Sequence, residues 1–552
     1  MMEAGFTLMR AEWQSVLFGT PNRADLAGCT RPSGLRRVRV RVHRNHGFEA
    51  VSSAAIAYAG WNGLEYEWLI GGYDDSLTFA ADGASDVDIV WLDTDRIRHV
   101  ALDGVGARLG GRLRALRAQT DAPILVLAWP LAGIDPERVT ELQIPGLHVA
   151  DLAPIAESLG ECWLDIRTAS ISGTRLSNQA CMRVARELAC CWLPAAALAP
   201  RKAIAVDLDG TLYAGVLGED GPSGVELEAG HRVLQERLVE FREAGILLAL
   251  VSRNNLHDVE ALFRERRDFP LRLSHFSAVE VAWDDKHRAL ERVAAALRVD
   301  CDAMVFVDDN AGELQSVAQT LPVCTVHAKP DGEQTCAALE HVAGLFRWHA
   351  SQEDRLRAGD LRASQMRSDL QEASGSADDY LRSLDVRLDF LIGRSAHVLR
   401  MAELSAKTNQ FNLSLGRMNE AEIARRLDAS PSNVIAIRLA DRIADSGIVG
   451  LLVCSRQGDT LAIDELCISC RALGRRLEDS MITTALLLLA GERAPRKVVF
   501  STRTGLRNEP ARRWLALYAD LPLPAAVDNV EVAFERIQAK VVSPAVRVQV
   551  VN

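Results

Sequence analysis

The sequence predicts an α/β protein of three domains, in which the first two are doubly wound around parallel sheets and the third is α+β. Short, fully apolar runs alternate with helical stretches over residues 35–348, and such runs are typical of strands buried on both faces. Strand pairs joined by polar turns appear only after residue 384. The length of 552 residues also suits about three domains.

Composition excludes several classes of function. A net charge of −11 argues against nucleic acid as a main partner. No apolar run reaches the roughly 18 residues that a membrane-spanning helix needs, so we expect no membrane span. Charged residues interrupt Met1–Phe18, which is not the pattern of a signal peptide. Eleven cysteines at irregular spacing fit a reducing compartment, and we expect a cytoplasmic protein.

Residues 1–34 show no clear element and are expected to be a loose N-terminal extension. Residues 35–198 are predicted to form the first domain, with a helix at Val105–Ala118. Its four predicted strands are Leu35–His43, Val87–Asp95, Pro123–Trp129 and Gly146–Leu152.

The first of these strands alternates valine with arginine, so Arg37, Arg39 and Arg41 share one face. That face is either solvated or a docking stripe for an acidic partner protein. At the end of the second strand, Asp93 and Asp95 are expected to be helix caps or surface acids.

The second domain, residues 199–348, begins with the apolar strand Ala203–Val206, which Asp207 and Asp209 follow directly. Ligands bind at the carboxyl ends of strands in open α/β sheets. Two carboxylates at that place repel each other, so we expect a hard cation such as Mg²⁺ beside them. Asp207 could attack a phosphoryl group, and Asp209 could move protons.

Three further pieces of the same kind follow in order. Another apolar run ends in Ser252, whose hydroxyl is placed to bind a phosphate oxygen. Lys286 begins a helical pattern and suits the neutralisation of phosphate charge. A third buried strand ends in Asp308 and Asp309. Together these pieces predict a phosphate site at one edge of a sheet.

The site is predicted to lack a large cap domain. Only 44 residues separate Asp207 from Ser252, and they must supply a Gly-rich flap, Leu212–Gly224, and one helix, Gly230–Ala244. An uncapped site is open to solvent. That favours a large partner, such as a carrier protein with a long prosthetic arm, or a neighbouring domain as a lid.

Residues 349–383 are highly charged and are predicted to be an exposed helical linker, broken at Ser374–Ser376. Residues 384–552 form the third predicted domain. Its expected elements are a strand in 386–392, a helix through 396–414, a strand pair in 434–456, a strand, turn and long helix in 460–490, a strand in 497–503 and a helix in 508–518.

The order strand-DxDGT, strand-Ser, Lys, strand-DD resembles the haloacid dehalogenase (HAD) superfamily of phosphoryl-transfer enzymes. The resemblance implies that Asp207 is the nucleophile and a metal ligand, and that Asp308 is the remaining metal carboxylate. Asp209 is implied as the acid/base, whose backbone carbonyl also meets the metal. The residues implied in holding substrate are Ser252, Lys286, Thr211, Arg253 and Asn254, while Asp309 has no clear role.

The layout of Ile171–Leu193 in the first domain resembles the last helix of SGNH-hydrolase-like proteins. Gly173 and Leu176 stand where that family has its Asp and His, and there is no GDS-type nucleophile. The resemblance therefore implies a degenerate fold without its own chemistry, used for support or docking.

In the third domain, a strand, the turn Arg471–Arg476 and a helix resemble the acyl-CoA-binding motif of GNAT acyltransferases. There, backbone N–H groups at a helix N-terminus hold the pyrophosphate. Arg476 departs from the usual Gly or Ala, which argues against coenzyme-A pyrophosphate. A carrier-bound pantetheine thioester has no pyrophosphate and would still fit.

Several stretches together resemble the FkbH-like family, subfamily IIIC of the HAD superfamily. They are VDLDGTLYAGVLGEDG, ALVSRNN, FVDDN, KTNQFNLS, DSGIVG and SCRALGRRLED. The resemblance implies a Mg²⁺-dependent glyceryl transferase/phosphatase. Such an enzyme takes 1,3-bisphosphoglycerate, releases phosphate and passes the glyceryl group to the phosphopantetheine thiol of an acyl carrier protein for polyketide-type pathways.

Family members are thought to use a cysteine as a transient acyl carrier. Cys470 is the first candidate, because it precedes the RxxG turn near an expected helix N-terminus that would favour a thiolate, and Cys467 is the second. Both could equally be small buried apolar residues. Val251 stands where relatives have a cysteine before the motif serine.

The amides of KTNQFN also have two interpretations. Asn409, Gln410 and Asn412 could contact substrate or pantetheine, or they could cap a helix and form an interdomain seam. For the whole chain, the alternative to acyl transfer is a small-molecule phosphatase whose outer domains are lids. A non-enzymatic docking protein is the third hypothesis, and the complete set of acids, Ser252 and Lys286 argues against it.

Overall fold

A computed structural model of the chain describes residues 4–29, 32–97, 102–129, 134–330, 332–348, 359, 363, 366, 367, 370, 377–505, 507–523 and 526–551. It divides into two compact units, Met1–Ala350 and Ser351–Asn552. Unit 1 contains two five-stranded parallel sheets, and unit 2 contains a seven-stranded mixed sheet. The predicted multidomain α/β architecture is confirmed, while the individual domain boundaries stay predictions.

The first sheet of unit 1 is wholly parallel and has the strand order β2-β1-β3-β4-β5. The strands are β1 (Arg36–Arg44), β2 (Leu64–Tyr73), β3 (Val87–Trp91), β4 (Ile124–Ala128) and β5 (Leu147–Asp151). All four predicted strands are present. The fifth, β2, lies at the edge of the sheet and is only half-buried, so it lacks the continuous apolar run that marks β3 and β4.

Helices cover both faces of this sheet. They are α1 (Ala4–Leu17), α2 (Arg23–Gly28), α3 (Glu49–Trp61), α4 (Leu102–Arg117), α5 (Pro136–Thr140), α6 (Ala153–Leu159), α7 (Ala169–Ser172), α8 (Asn178–Glu187) and α9 (Leu193–Ala197), with a π-helical segment at Leu188–Trp192 between the last two. The helix predicted at Val105–Ala118 is confirmed as α4.

The prediction of a loose N-terminal extension is wrong, because α1 and α2 occupy most of it. Trp13 and Leu17 of α1 are buried in the core. The Gln14 side chain donates to the His327 carbonyl at 2.6 Å and accepts the His327 N–H at 3.2 Å. Helix α1 therefore packs on the second sheet as an integral part of unit 1.

The second sheet is also wholly parallel, with the order β10-β9-β6-β7-β8. Its strands are β6 (Ala203–Val206), β7 (Leu247–Ser252), β8 (Ala278–Val281), β9 (Met304–Asp308) and β10 (Cys324–His327). Strand β6 is central, with β7 and β9 on either side, and all three are buried along their length. Their carboxyl ends therefore meet at one edge.

Six helices accompany this sheet, and none of them builds a cap domain. They are α10 (Leu217–Gly224), α11 (Ala229–Glu243), α12 (Leu256–Glu265), α13 (Lys286–Leu297), α14 (Ala311–Thr320) and α15 (Gly332–Glu340). Residues 203–330 are described without a gap, and only α10 and α11 lie between β6 and β7. The predicted flap is present. Ala214 and Glu226 exchange backbone hydrogen bonds at its base, and α10 forms its outer part.

The two sheets of unit 1 share one hydrophobic core. It runs through buried side chains from Trp13 to Leu345 and includes residues of both sheets. The division that we predicted at residue 198 therefore separates two sheets that are packed together, not two separate cores.

Unit 2 is built on the order β16-β15-β14-β13-β12-β11-β17. Its strands are β11 (Arg387–Ile392), β12 (Val434–Ala440), β13 (Asp445–Gln457), β14 (Thr460–Ile468), β15 (Lys497–Arg503), β16 (Val527–Ala533) and β17 (Arg547–Val551). Its helices are α16 (Ala377–Leu384), α17 (Val398–Lys407), α18 (Glu420–Ala429), α19 (Glu478–Ala490), α20 (Glu509–Ala519) and α21 (Phe534–Gln538). The pairs β14–β15 and β11–β17 are parallel, and the other neighbours are antiparallel.

Two expectations for this region change. The helix predicted through residue 414 ends at Lys407, and the chain continues in an irregular segment with a turn at 410–411. Most of the predicted linker, including its break at Ser374–Ser376, lies outside the described residues. In the described ranges, no helix is long and apolar enough to cross a membrane.

Candidate active site

The predicted acids and their partners meet in one pocket at the carboxyl edge of the second sheet. Asp207 follows β6, Ser252 ends β7 and Asp308 ends β9. Because β6 lies between β7 and β9, these three side chains emerge side by side. The pocket has a volume of about 320 Å³. Its lining residues are Asp207, Asp209, Gly210, Gly215, Val216, Ser252, Arg253, Lys286, Asp308, Asp309, Asn310 and Glu313.

Lys286 joins the two central acids. It is the first residue of α13, and its Nζ lies 2.9 Å from Asp207 Oδ1 and 2.6 Å from Asp308 Oδ2. All three side chains are buried. Asp308 Oδ1 also accepts the Asn310 N–H at 2.8 Å. Burial would lower the pKa of Lys286, but the two carboxylates raise it overall, so the ammonium is retained.

One lysine does not balance the acids around it. Five acidic and two basic side chains line the pocket. Burial and the neighbouring Asp308 raise the pKa of Asp207 to about 7, although Lys286 opposes that rise. An anionic phosphate entering such a pocket would be repelled, so the site calls for a cation of its own.

The carboxylates of Asp207, Asp308 and Asp309 are placed to hold that cation. Each offers a ligand oxygen, and these oxygens lie within 4.8 Å of one another. Hard carboxylate oxygens fit Mg²⁺. The Asp309 carboxylate, for which the sequence indicated no clear role, is part of this group. Gly210 has φ +69°, and a Cβ there would lie 2.4 Å from Asp309 Oδ2, so only glycine leaves room for this carboxylate.

Asp209 lines the pocket beside the three-carboxylate group and is held by three donors. Tyr213 donates its hydroxyl to Oδ1 at 2.6 Å, and the Leu217 N–H donates to the same oxygen at 3.0 Å. Asn254 donates its amide to Oδ2 at 2.9 Å. Burial and the adjacent Asp209 carboxylate raise the pKa of Tyr213, so its hydroxyl remains a donor. The side chain proposed as acid/base therefore has a defined orientation.

The predicted substrate-binding residues of this unit divide into two groups. Ser252, Arg253 and Lys286 line the pocket, and Arg253 is fixed by an ion pair with Glu313. Thr211 and Asn254 do not line it. The Thr211 hydroxyl accepts the Asp309 N–H at 3.1 Å, and Asn254 bridges Ser252 Oγ and Asp209. Both hold the acids and the serine in place, and their contact with substrate stays a prediction.

Exposed apolar side chains also follow the strands of the second sheet at its carboxyl edge. Val216, in the flap, is 44 % exposed and lines the pocket. Leu256, the first residue of α12, is 50 % exposed, and Trp283, which follows β8, is 71 % exposed. Trp283 Nε1 lies 3.4 Å from Asn255 Oδ1, so it stands beside the start of α12. Exposed large apolar side chains grouped at a site entrance are typical of surfaces that bind a partner.

The corresponding edge of the first sheet differs from this one. His46 follows β1 and is fully buried, stacked on Trp91 at 4.6 Å, with Nδ1 3.1 Å from Thr174 Oγ1. Burial and nearby arginines lower the pKa of His46 to about 3, so it is neutral. Asp93 forms a two-pronged ion pair with Arg175 at 2.7 and 2.9 Å. Asp93 also accepts the Asp95 N–H, which is the contact that a cap makes.

The arginines of β1 are paired across the sheet. Arg37 lies 3.7 Å from Glu65 and Arg39 lies 3.5 Å from Glu67, both on β2. Arg41 is buried against Asp88 at 2.9 Å. Neighbouring glutamates thus balance this face, which favours the solvated interpretation over a docking stripe for an acidic partner.

A second group of ligand-type side chains, Glu187, Cys191 and His341, lies where the helices of the two sheets meet in unit 1. His341 Nε2 lies 3.0 Å from Glu187 Oε1, and Arg186 contacts the same carboxylate at 3.1 Å. Burial raises the pKa of Glu187, but the contacts with His341 and Arg186 outweigh that effect and lower the pKa to about 2. The group is an ion-pair network that joins the two halves of the unit.

In unit 2, the KTNQFNLS block is organised by a buried glutamate. Glu465 of β14 accepts from Ser405 at 3.0 Å, Asn412 at 2.8 Å and Ser414 at 2.6 Å. Asn412 is fully buried, and its amide oxygen accepts the Leu415 N–H. These contacts favour the structural interpretation of Asn412, and its contact with substrate stays a prediction. Asn409 is half-buried, and its amide oxygen accepts from Arg417 at 2.6 Å.

The same block fills the space between two strands. β14 and β15 pair only over the first four residues of each, from Thr460–Lys497 to Ile463–Phe500. Beyond that point the Ile468 N–H donates to the Phe411 carbonyl, the Leu413 N–H to the Leu466 carbonyl, and the Arg503 N–H to the Leu413 carbonyl. Residues 411–413 thus complete the sheet where the two strands separate.

The two candidate cysteines of unit 2 are not equivalent. Cys467 is fully buried, and burial raises its pKa well above the usual range, so it is not a ready nucleophile. Cys470 is half-buried in the turn after β14. The helix N-terminus expected beside it is eight residues away, since α19 begins at Glu478. The Glu478 carboxylate itself accepts the Gly474 N–H at 3.2 Å, so this turn does not offer that donor to a pyrophosphate.

No protein-family model matches the chain, and no curated protein matches it either. Among solved structures, it is similar to the N-terminal part of a Bacteroides fragilis protein, which contains a phosphatase domain and was crystallised with Mg. That likeness has 16% sequence identity and a TM-score of 0.46, over 61% of this chain and 99% of the other. A second match is a fungal multi-domain β-N-acetylglucosaminidase with a GCN5-related glucosamine N-acetyltransferase region. It has 9% identity and a TM-score of 0.14, over 94% of this chain and 66% of the other.

Sequence reasoning missed several residues of the site. Tyr213 lies in the quoted DGTLY stretch, four residues after the carboxylate that it contacts, and that spacing is the only local signal. Glu313 lies three residues after Asn310, which caps α14, so its position beside Arg253 depends on the tertiary fold. The backbone N–H of Leu217 carries no sequence signal.

Proposed function

We propose that the chain is a Mg²⁺-dependent enzyme of the FkbH-like type within the HAD superfamily. In this proposal it releases phosphate from 1,3-bisphosphoglycerate and passes the glyceryl group to the phosphopantetheine thiol of an acyl carrier protein, in a polyketide-type pathway. The observation that carries the phosphate chemistry is the convergence of Asp207, Ser252, Lys286 and Asp308 in one pocket. The acyl transfer rests on the resemblance of the sequence motifs.

The pocket suits a small phosphorylated acid. Its volume of about 320 Å³ is at the lower end of the range for ligand sites. Mg²⁺ held by the carboxylates of Asp207, Asp308 and Asp309 would neutralise charge on the phosphate oxygens. Lys286 and the Ser252 hydroxyl supply further contacts for the same oxygens.

Acyl transfer breaks the bond between the carbonyl carbon and the bridging oxygen. A thiolate attacks the carbonyl carbon, a C–S bond forms, and the electron pair of the broken C–O bond leaves on inorganic phosphate. The protein groups around the phosphate then act on the leaving group, whose charge they stabilise. The product is a 3-phosphoglyceryl thioester. It becomes a glyceryl thioester when Asp207 attacks the C3 phosphate ester, the P–O bond breaks, and water hydrolyses the phosphoaspartate. The thiol first acylated in this proposal is Cys470, which passes the group to the carrier thiol.

A phosphatase without acyl transfer is the second candidate, and unit 2 favours it. There, residues 411–413 fill the gap between β14 and β15, and Glu478 takes a donor of the expected anion-binding turn. In this reaction Asp207 attacks the phosphorus of the acyl phosphate and the P–O bond breaks, leaving 3-phosphoglycerate and a phosphoaspartate. Water then hydrolyses the phosphoaspartate.

The two reactions differ in the fate of oxygen, which gives the test. The enzyme, Mg²⁺, 1,3-bisphosphoglycerate and holo acyl carrier protein are incubated in ¹⁸O-labelled water. Acyl transfer adds the mass of a glyceryl group to the carrier and releases two phosphates, the C1 phosphate without ¹⁸O and the C3 phosphate with one ¹⁸O. The phosphatase reaction puts one ¹⁸O into every phosphate that it releases and leaves the carrier unchanged. Absence of both products would refute the proposal.

Cys470→Ser tests the acyl relay. We expect that this variant no longer gains a glyceryl group on the enzyme itself, as seen by intact-protein mass spectrometry, and that it binds Mg²⁺ as before. Cys162→Ser removes an exposed cysteine of unit 1 and is the matched control, so its loading should be unchanged. Loading of the Cys470→Ser protein at the normal level would show that the assignment is wrong.

A further inference from the structure

Tyr213 has a defined contact with the site and no role in the function proposed so far. It is fully buried at the start of the flap, and its ring stacks on Phe269 with centroids 6.0 Å apart. Its hydroxyl donates to Asp209 Oδ1 at 2.6 Å. A buried tyrosine needs a hydrogen-bond partner, and here that partner is the side chain proposed as the acid/base.

The two oxygens of Asp209 are held by different parts of the fold. Oδ1 accepts from two flap groups, the Tyr213 hydroxyl and the Leu217 N–H at 3.0 Å. Oδ2 accepts from Asn254, which follows β7 at the edge of the sheet. Between the two flap donors lies Val216, which lines the pocket and is 44 % exposed. The segment that holds Oδ1 of Asp209 therefore also contributes a side chain to the pocket wall.

We propose that Tyr213 is a positioning residue. Through its hydroxyl, the orientation of the Asp209 carboxyl group depends on the position of the flap. The carboxyl group is aligned for proton transfer while the flap lies on the edge of the sheet. This inference rests on the proposed function, in the step in which Asp207 attacks the C3 phosphate ester. In that step the Asp209 O–H bond breaks, the proton goes to the oxygen of the leaving group, and the electron pair stays on Asp209. Tyr213 keeps its own proton and touches no reacting atom.

The test compares two phosphate esters in Tyr213→Phe, which removes the hydroxyl and keeps the ring. p-Nitrophenyl phosphate has a leaving group that needs little protonation, whereas glycerol 3-phosphate has an alkoxide that needs a proton. We expect kcat for glycerol 3-phosphate to fall about tenfold, with KM within about twofold, because general acid catalysis is impaired. For p-nitrophenyl phosphate we expect kcat within about twofold of the original protein.

Two further variants frame this result. Asp209→Asn should show the same leaving-group pattern with a larger loss. Tyr66→Phe removes a buried hydroxyl that donates to the Ala189 carbonyl at 2.8 Å, away from the pocket, and should leave both rates unchanged. An equal loss on both esters, or no loss on either, would overturn the role of Tyr213. The proposed function would then still stand on Mg²⁺-dependent turnover that is lost in Asp207→Asn.

Discussion

The two sheets of unit 1 have the same parallel architecture, yet the charged groups at their carboxyl edges differ in how well they are paired. At the first sheet, His46 is neutral and stacked, and Asp93 is paired with Arg175. At the second sheet, Asp207 has a pKa raised to about 7 and shares one lysine with Asp308. The acid at the first edge is balanced by an arginine, whereas the second edge has an excess of acidic side chains around an open pocket.

This difference shows what separates a site from a polar cluster. Both edges place acids at strand ends, so the position of an acid is not enough. At the first edge Asp93 has a partner of opposite sign in Arg175, whereas the second has five acids and two cations around an open pocket. In unit 2 the buried Glu465 has no such open space beside it, since it accepts hydrogen bonds from three neutral side chains. An unbalanced charge next to open space is the informative signal.

The largest expected effect compares one acid from each edge. Asp207→Asn should lower Mg²⁺-dependent phosphate release by about 10⁴-fold or more, because in the proposed function Asp207 is the nucleophile towards phosphorus and a metal ligand. Asp93→Asn should leave the rate within about twofold, although it breaks a buried pair with Arg175 and lowers stability. Steady-state phosphate release measures both. Equal losses in the two variants would mean that the first edge also acts in the reaction.

The free energy of unfolding in acid should distinguish the buried Glu187 network between the two sheets from an ion pair on the exposed surface. The ionised form of Glu187 is stabilised in the folded protein, with a pKa of about 2 against an ordinary value of 4.5. Its contribution, roughly 3 kcal/mol by 1.36 kcal/mol per pKa unit, is complete above about pH 4.5 and is lost as the pH falls towards 2. Glu187→Gln should therefore lower the free energy of unfolding at pH 7 and differ little from the original protein near pH 2.

Glu240→Gln is the matched control for this measurement. Glu240 forms an exposed ion pair with Arg237, and exposed pairs contribute about 0–1 kcal/mol. Denaturant unfolding followed by tryptophan fluorescence gives both comparisons. A gap between Glu187→Gln and the original protein that stays constant from pH 7 to pH 2 would contradict the ion-pair explanation.

The sequence alone predicted the elements that bear the site, because each depends on a local pattern. Strands β6, β7 and β9 are apolar runs that end in a polar residue, so both the strand and the place of Asp207, Ser252 and Asp308 follow from it. The order of the strands then brings the three together. The absence of a large cap domain between β6 and β7 was also predicted, from the small number of residues between Asp207 and Ser252.

The rest depends on contacts that span long stretches of sequence. Helix α1 was missed because it packs with the polar residues Arg10 and Gln14 on its buried face, which hides the apolar period. The sequence left two interpretations of Asn412, because its partner Glu465 lies 53 residues further along the chain and leaves no local pattern. Such residues are polar in sequence and structural in the fold, and only the tertiary structure separates them from site residues.

The smallest expected effect concerns the rim of the open edge, and it tests whether a large substrate binds there. Trp283→Ala should raise KM for the holo carrier protein about tenfold, because an exposed tryptophan beside a site is a strong anchor for a partner. Phosphate release from acetyl phosphate should stay within about twofold, since the side chain does not line the pocket. Ile171→Ala, at an 89 % exposed apolar position of the same unit, is the control. An equal loss of activity with the carrier and with acetyl phosphate would mean that Trp283 acts in the reaction itself. No loss with either substrate would mean that the carrier does not bind at this side chain.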